Sequence, residues 1–116
     1  MNSAHATEEP LIEQPVATPD SLRAAVAALE PARLGEFLSD LTAAKADSVK
    51  TSSMRPMLVF YAKWSQFAAL HRFPKRRERL RRLERTVAEE TDPVKNRAAI
   101  KEISLLLAEV EREING

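Results

Sequence analysis

Residues 54–73 of this chain read MRPMLVFYAKWSQFAALHRF, and they include five of the six aromatic residues in the protein. Large apolar side chains recur there at the spacing of one helix face, which predicts an amphipathic helix with a wide apolar surface. The members of this face are Met57, Phe60, Tyr61, Trp64, Phe67 and Ala68. Its flanks are also apolar and comprise Leu58, Val59, Ala62 and Leu70. A helix that is apolar on nearly all sides is usually packed by several others, so we expect Trp64 to be buried in a central helix.

The composition favours a single helical domain. The chain has 116 residues, of which two are glycine and none is cysteine. This length supports one modest core, and the scarcity of glycine disfavours a sheet with many turns. Without cysteine there are no disulfide bonds and no thiolate metal sites, which suits a reducing cytoplasm. The central helix is interrupted by charged residues and proline and makes a poor membrane span. We therefore expect a cytoplasmic protein with no membrane partner.

The chain divides into an acidic tail and a helical domain. Residues 1–18 carry three glutamates, no lysine or arginine, and few large apolar groups. Such a segment cannot bury enough surface to offset its ordering entropy, which predicts a disordered acidic tail over residues 1–18. Leu11 and Ile12 are candidates for a short docking motif within it. Residues 19–116 are the predicted helical domain.

Prolines mark the starts of the predicted helices. A proline in the first turn of a helix is harmless, because its missing N–H would have had no partner there. The marked starts are Pro19, Pro31, Pro56, Pro74 and Pro93. The polar residues 45–53 have no apolar stripe and predict the frayed end of the second helix followed by a mobile loop. We therefore predict an all-α, single-domain bundle of four or five helices around the aromatic-rich central helix.

The last helix carries an apolar seam at the spacing of a coiled coil. Its members are Ile100, Ile103, Leu107, Val110 and Ile114, and Ala99 and Leu106 widen it. The seam must be covered, and we predict that it packs on the central helix of the same chain. Self-association is the alternative, in which a partner or a second copy would contact Ile103, Leu106, Val110 and Ile114.

Residues 72–85 are strongly basic, with eight Lys or Arg against two Glu. On a helix, Arg77, Arg81 and Arg85 fall four residues apart along one side of a thin apolar edge. This pattern predicts a face that binds phosphates, on nucleic acid or on an acidic partner. The alternative is a solvated face that is neutralised by the acidic tail or by glutamates of the last helix. The candidate binding residues are Arg76, Arg77, Arg81, Arg82 and Arg85.

Few residues suit catalysis or metal binding. His5 and His71 are the only histidines, and neither has a second ligand at metal spacing. His71 falls near the end of the central helix, where a structural role with the helix dipole is expected. The acidic cluster of Glu89, Glu90 and Asp92 has no apolar surroundings, so we expect it to solvate a helix junction and not to act as a paired acid and base. We expect no enzyme activity and no cofactor.

Two segments carry a family resemblance. SLRAAVAALEPARLGEFLSDL (21–41) and MLVFYAKWSQFAALHRFP (57–74), followed by a charged helix with leucines, resemble a family of small uncharacterised helical proteins from actinobacteria. The resemblance covers about residues 19–90 and rests on packing and capping positions. It implies an antitoxin-like role, because such proteins are encoded beside small toxin genes. The chain departs from this pattern at Phe73, where an acidic cap is expected, and no active-site residue carries over.

The sequence therefore leads to three functional hypotheses. The first is a non-catalytic regulatory protein, of the antitoxin-like kind, that binds a protein partner through helical surfaces. The second is a nucleic-acid-binding protein that uses the basic helix over residues 74–89. The third is a structural homodimer that forms through the C-terminal helix.

Overall fold

A computed structural model describes residues 8–116, which form a bundle of five α-helices. The elements are α1 (Pro19–Leu29), one 3-10 turn (Pro31–Arg33), α2 (Leu34–Thr51), α3 (Arg55–His71), α4 (Pro74–Glu89) and α5 (Pro93–Asn115). No strand occurs among the described residues, so the predicted all-α bundle is confirmed. None of the helices described is long and apolar enough to cross a membrane.

The helix starts follow the capping residues of the sequence. The Thr18 hydroxyl accepts a hydrogen bond from the Ser21 backbone N–H at 3.2 Å, directly before Pro19. The Asp92 carboxylate accepts from the Val94 N–H at 2.9 Å, directly before Pro93. Both side chains satisfy backbone donors that have no partner within the first turn of the helix. These local contacts fix where α1 and α5 begin.

Helix α2 is longer than predicted. The polar residues 45–51, predicted to fray into a mobile loop, continue the helix to Thr51. They lack an apolar stripe because this end of α2 is largely exposed, and only Ala44 and Ser48 turn toward the bundle. The helix ends at Ser52, whose φ of 52° is left-handed and whose N–H bonds back to the Ser48 and Val49 carbonyls. This left-handed residue closes the tight connection to α3.

An aromatic cluster forms the first half of the core, where α1, α2 and α3 meet. Trp64 is completely buried, as predicted, and its ring lies edge-on to Phe37 with centroids 5.2 Å apart. The indole N–H donates to the Asp40 carboxylate at 3.1 Å. A buried indole usually finds such a partner, because an unpaired N–H in the core is costly.

Helix α3 also belongs to the second half of the core. Ala69 and Leu70 pack with Leu80 of α4 and with Leu106 and Val110 of α5. The C-terminal half of α3 is therefore covered by α1, α2, α4 and α5. This confirms the central position predicted for the aromatic-rich helix.

The N-terminal half of α3 is open on its outer side, in contrast to the prediction of a helix buried nearly all round. Leu58 is 60% exposed and Val59 is 63% exposed, and Ala62 on the next turn is exposed as well. The reason is that α5 reaches α3 only at its C-terminal half. We call Leu58, Val59 and Ala62 the open face of α3.

Helix α5 packs through most of the predicted seam. Leu106 and Val110 are buried, and Ile103, Leu107 and Ile114 are half-buried against the same cluster. Ile100 is the exception, because it is 46% exposed. Two polar residues flank the packed stripe, Asn96 before it and the exposed Glu113 near its end. The Asn96 amide donates to the Val87 carbonyl of α4 at 2.8 Å, so the first of these is satisfied by a hydrogen bond.

Residues 8–17 form an extended segment that lies against the helices, and we call it the N-terminal strap. The Leu11 N–H donates to the Arg72 carbonyl at 2.7 Å, and the Ile12 side chain packs on the aromatic cluster. The Gln14 amide donates to the Ser65 carbonyl at 3.0 Å. This differs from the disordered tail predicted for residues 1–18, because hydrogen bonds and one half-buried aliphatic side chain order residues 8–17. Residues 1–7 of that prediction lie outside the described residues.

Replacing Trp64 with alanine should destabilise the protein by about 3–5 kcal/mol, the usual range for loss of a large buried aromatic side chain. The same change would leave the Asp40 carboxylate without its indole donor. Val94→Ala is the matched control, because Val94 is 66% exposed and should cost little. Urea unfolding of both variants tests this, and equal free energies of unfolding would contradict the aromatic core.

Candidate functional site

Arg76, one of the five predicted binding arginines, ties three helices together. Its guanidinium donates to the Ala69 carbonyl of α3 at 2.8 Å and to the Glu113 carboxylate of α5 at 2.9 Å. It also lies 4.9 Å from the centroid of the Phe73 ring. Arg72, which was not among the predicted residues, approaches the same carboxylate at 3.4 Å. These side chains act as a clip between α3, α4 and α5.

The carboxylate of Glu113 is held in its ionised form. The hydrogen bond from Arg76 lowers the pKa of Glu113 below its usual value, and Arg72 contributes to the same shift against the cost of burial. Glu113 lies three residues after the buried Val110, at the exposed edge of the α5 stripe. This position in the stripe is the sequence signal that could have identified the ion pair.

Arg77 and Arg81 connect α4 to the end of α1. A guanidinium N–H of Arg77 donates to the Leu29 carbonyl at 3.4 Å, which satisfies an acceptor at the helix C-terminus. Arg81 lies 3.6 Å from the Glu30 carboxylate, a long and half-exposed ion pair that contributes little. Arg77 therefore faces the bundle, whereas Arg81 stays half-exposed beside its carboxylate partner.

Arg82 and Arg85 remain free on the outer side of α4. Both are exposed, and within residues 8–116 neither guanidinium has a hydrogen bond or an ion pair. Glu78, which lies four residues before Arg82 on the same helix, forms no ion pair with it. The five arginines predicted as one binding face therefore separate into three with contacts inside the chain and two that face solvent.

The predicted partner or dimer interface on α5 is wrong at its centre. Leu106 is 2% exposed and Val110 is fully buried, so neither side chain can contact a second molecule. Ile103 and Ile114 are half-buried against the same cluster. The seam is covered within the chain by α3 and α4, as the first alternative of the sequence analysis predicted.

The open face of α3 is an apolar surface that no other element covers in the described part of the chain. Val59 and Ala62 line a shallow depression that continues to Ile114 and Asn115 at the end of α5. On its other side Val59 borders a groove between α2 and α3 that is rimmed by Asp47 and Arg55. Residues of the open face were predicted as core, because their pattern alone does not show where α5 ends.

The network beside this face fixes α2 against α3. Lys63 bonds the Asp40 carboxylate at 2.7 Å and the Glu36 carboxylate at 2.9 Å. Hydrogen bonds from Lys63 and then Arg33 lower the pKa of Glu36, and the Asp40 hydrogen bond raises the pKa of Lys63. The groove therefore has a rigid end at Lys63, near the buried Trp64.

His71 is buried as a neutral side chain at the end of α3. Its ring stacks on Phe67 with centroids 4.4 Å apart, and its Nδ1 atom has no partner within residues 8–116. Burial lowers the pKa of His71 to about 4, and the charges of Arg77 and Arg81 act in the same direction against the attraction of Glu30. The expected interaction of a charged His71 with the helix dipole is therefore wrong at neutral pH.

Comparisons with protein-family models, with curated proteins and with solved structures gave no match. The actinobacterial family resemblance therefore stays an expectation from the sequence. Among the described residues, no group of three or more His, Cys, Asp or Glu side chains is placed to hold a metal ion. The functional argument rests on the two exposed features, the open face of α3 and the pair Arg82 and Arg85.

Binding to duplex DNA should be weak and should involve only Arg82 and Arg85. Because each neutralised phosphate contributes roughly −0.9 to the log–log salt slope, two free guanidinium groups give about −2. The variant Arg82→Gln/Arg85→Gln should lose this slope and keep its melting temperature. Arg76→Gln is the control, which should keep the slope and melt earlier because Glu113 loses its partner. A slope near −4.5 in salt titrations, expected for all five arginines, would contradict this assignment.

The stability of the protein should fall between pH 6.5 and pH 4 because of His71. Its native pKa of about 4 lies below the ordinary value of 6.5, so the fold favours the neutral ring. The stabilisation that the neutral His71 gives is fully present above pH 6.5. As the pH falls toward 4, the free energy of unfolding decreases by on the order of 3 kcal/mol.

Urea unfolding across this window measures the loss, with His71→Phe as the control that keeps a ring against Phe67. The pKa values of Glu36 and Glu113 are lowered from 4.5, so the stabilisation from their ionised carboxylates begins to be lost only at the acidic end of this pH window. Equal pH dependence in the two proteins above pH 4.5 would show that His71 is not the titrating group.

Proposed function

We propose that this protein is a non-catalytic interaction module that binds a protein partner through the open face of α3. One observation carries the proposal. The side of α3 that α5 covers at Leu70 also carries Val59, which lies three turns earlier and is 63% exposed, and Leu58 beside it is 60% exposed. Neighbouring large apolar side chains on a helix of this length are typical of a protein interaction site.

The surroundings of the open face suit a helical segment of the partner. An apolar helix laid along Val59 and Ala62 would continue the packing that α5 makes on the C-terminal half of α3. Ile114 would extend its apolar floor, and Arg55 and Asp47 would border it. Helix-in-groove recognition uses this combination of an apolar floor and a polar rim.

The alternatives receive less support from the geometry. Nucleic-acid binding would depend on Arg82 and Arg85, because the other candidate arginines have partners in the chain. A homodimer through α5 would need side chains that are buried. The resemblance of residues 19–90 to antitoxin-like proteins suggests one candidate partner, a small toxin encoded beside this gene.

A photo-crosslinking amino acid at position 59 should capture one defined protein in the native host. The same group at position 94 is the matched control, because Val94 is as exposed as Val59 but lies on the first turn of α5. Mass spectrometry of the adducts identifies the partner, and co-expression of the neighbouring gene product tests the toxin directly.

Leu58→Ser/Val59→Ser should abolish complex formation with the captured protein and leave the melting temperature within a few degrees of the wild type. Equal capture from positions 59 and 94 would contradict the proposal. Capture of a second copy alone, with a doubled mass in solution, would favour the homodimer instead.

A further inference from the structure

The N-terminal strap lies in a groove that is built for an extended acidic segment. The Glu8 carboxylate accepts the Lys75 backbone N–H at 3.0 Å, at the first turn of α4. Four residues later Ile12 packs on the aromatic cluster, and two residues after that the Gln14 amide reaches the Ser65 carbonyl at 3.0 Å. Between Glu8 and Ile12, the Leu11 N–H donates to the Arg72 carbonyl at 2.7 Å. Arg72 Nη1 also donates to the Ile12 carbonyl at 3.5 Å. The groove therefore contacts one backbone donor, one backbone acceptor and three side chains of the strap.

The groove is basic where the strap is acidic. Arg72, Lys75, Arg76 and Arg79 line the depression that also contains Glu8, and they outnumber the two other acidic residues there, Glu109 and Glu113. The strap carries three glutamates and no basic residue over residues 8–17. Its Glu8 carboxylate lies at a helix N-terminus, where an anion is favoured by the backbone donors and the dipole.

The resident strap leaves this groove incompletely satisfied. Arg72 Nε and Gln14 Oε1 are both buried and have no hydrogen-bond partner within residues 8–116. Unpaired buried polar atoms are costly, and these two offset part of what the strap contacts contribute. Leu11 is 55% exposed and Val16 is 65% exposed, so the strap buries few of its own apolar side chains. A segment that offered an acceptor to Arg72 Nε would bind this groove better than the strap does.

We propose that this groove is a second binding site, for an extended acidic segment of a partner protein, and that the N-terminal strap is its exchangeable internal ligand. The segment presents a carboxylate to the start of α4, an aliphatic side chain four residues later and an amide two residues after that. Its additional acceptor pairs with Arg72. The site is separate from the open face of α3 and does not depend on the function proposed for that face.

The tether of the strap sets the strength of competition. A flexible linker of a few residues holds an attached ligand at an effective concentration in the millimolar range. An incoming peptide binds only the fraction of molecules whose strap has detached, so its apparent affinity falls by that fraction. Weakening the strap should therefore strengthen binding of the same segment added in trans.

Fluorescence anisotropy with a labelled peptide of residues 8–17, EEPLIEQPVA, tests the proposal on the full chain. The peptide should bind the variant Glu8→Gln/Ile12→Ser with a Kd at least tenfold below that for the wild type. The single variant Glu8→Gln should give an intermediate Kd, and it removes only one exposed contact if the double variant proves unstable. Replacing the peptide glutamate that follows its isoleucine with residues of varied acceptor length should identify a tighter ligand for Arg72.

A peptide with Ile12→Asp is the matched control, because it keeps the acidic character and loses the half-buried aliphatic side chain. It should bind neither protein. Equal Kd values for the wild type and the strap variants would overturn the proposal, as would equal binding of the Ile12→Asp peptide, which would show attraction by charge alone. Complex formation at the open face of α3 is measured with a different partner and different variants, so failure of one site leaves the other testable.

Discussion

The hydrogen bond from the buried indole of Trp64 to Asp40 determines how α2 and α3 fit together. A fully buried indole N–H needs an acceptor, and the acceptor here is a carboxylate that itself needs charge compensation. Lys63 supplies it and also bonds Glu36, so the register between the two helices is set by one polar chain at the edge of the core. The remaining aromatic side chains can pack tightly because this register leaves α2 a single position against α3.

A second polar constraint orders the other half of the bundle. Glu113 lies at the end of the α5 stripe, and its carboxylate accepts a hydrogen bond from the guanidinium of Arg76. The same guanidinium also donates to the Ala69 carbonyl of α3. Several arginines of α4 therefore serve to hold α4 against the neighbouring helices, because few other side chains connect α3, α4 and α5 at this end of the bundle. Function is left to the features that this scaffold does not use.

The sequence predicted the elements well and their partners poorly. Proline and capping patterns gave the helix starts, and aromatic periodicity gave the buried Trp64, because both are local properties of the chain. The end of α2 was missed because exposed helical residues and loop residues are alike in polarity. The α5 seam was predicted apart from the exposed Ile100, and the polar contact of Asn96 beside it was missed. Which arginines form contacts within the chain depends on groups far away in sequence, and counting charges does not reveal them. The exposure of the open face of α3 depends on where α5 ends, which is also not a local property.

The N-terminal strap has a consequence for the order in which the chain assembles during synthesis. Its partners lie 51 to 67 residues further along the chain, from Ser65 to Lys75, whereas the helices it crosses pair with near neighbours. Contacts between distant residues form late, and ribosomes release the N-terminus first. Residues 8–17 therefore leave the ribosome well before their groove exists, and for that interval the segment can be engaged by chaperones or by another protein in the cell.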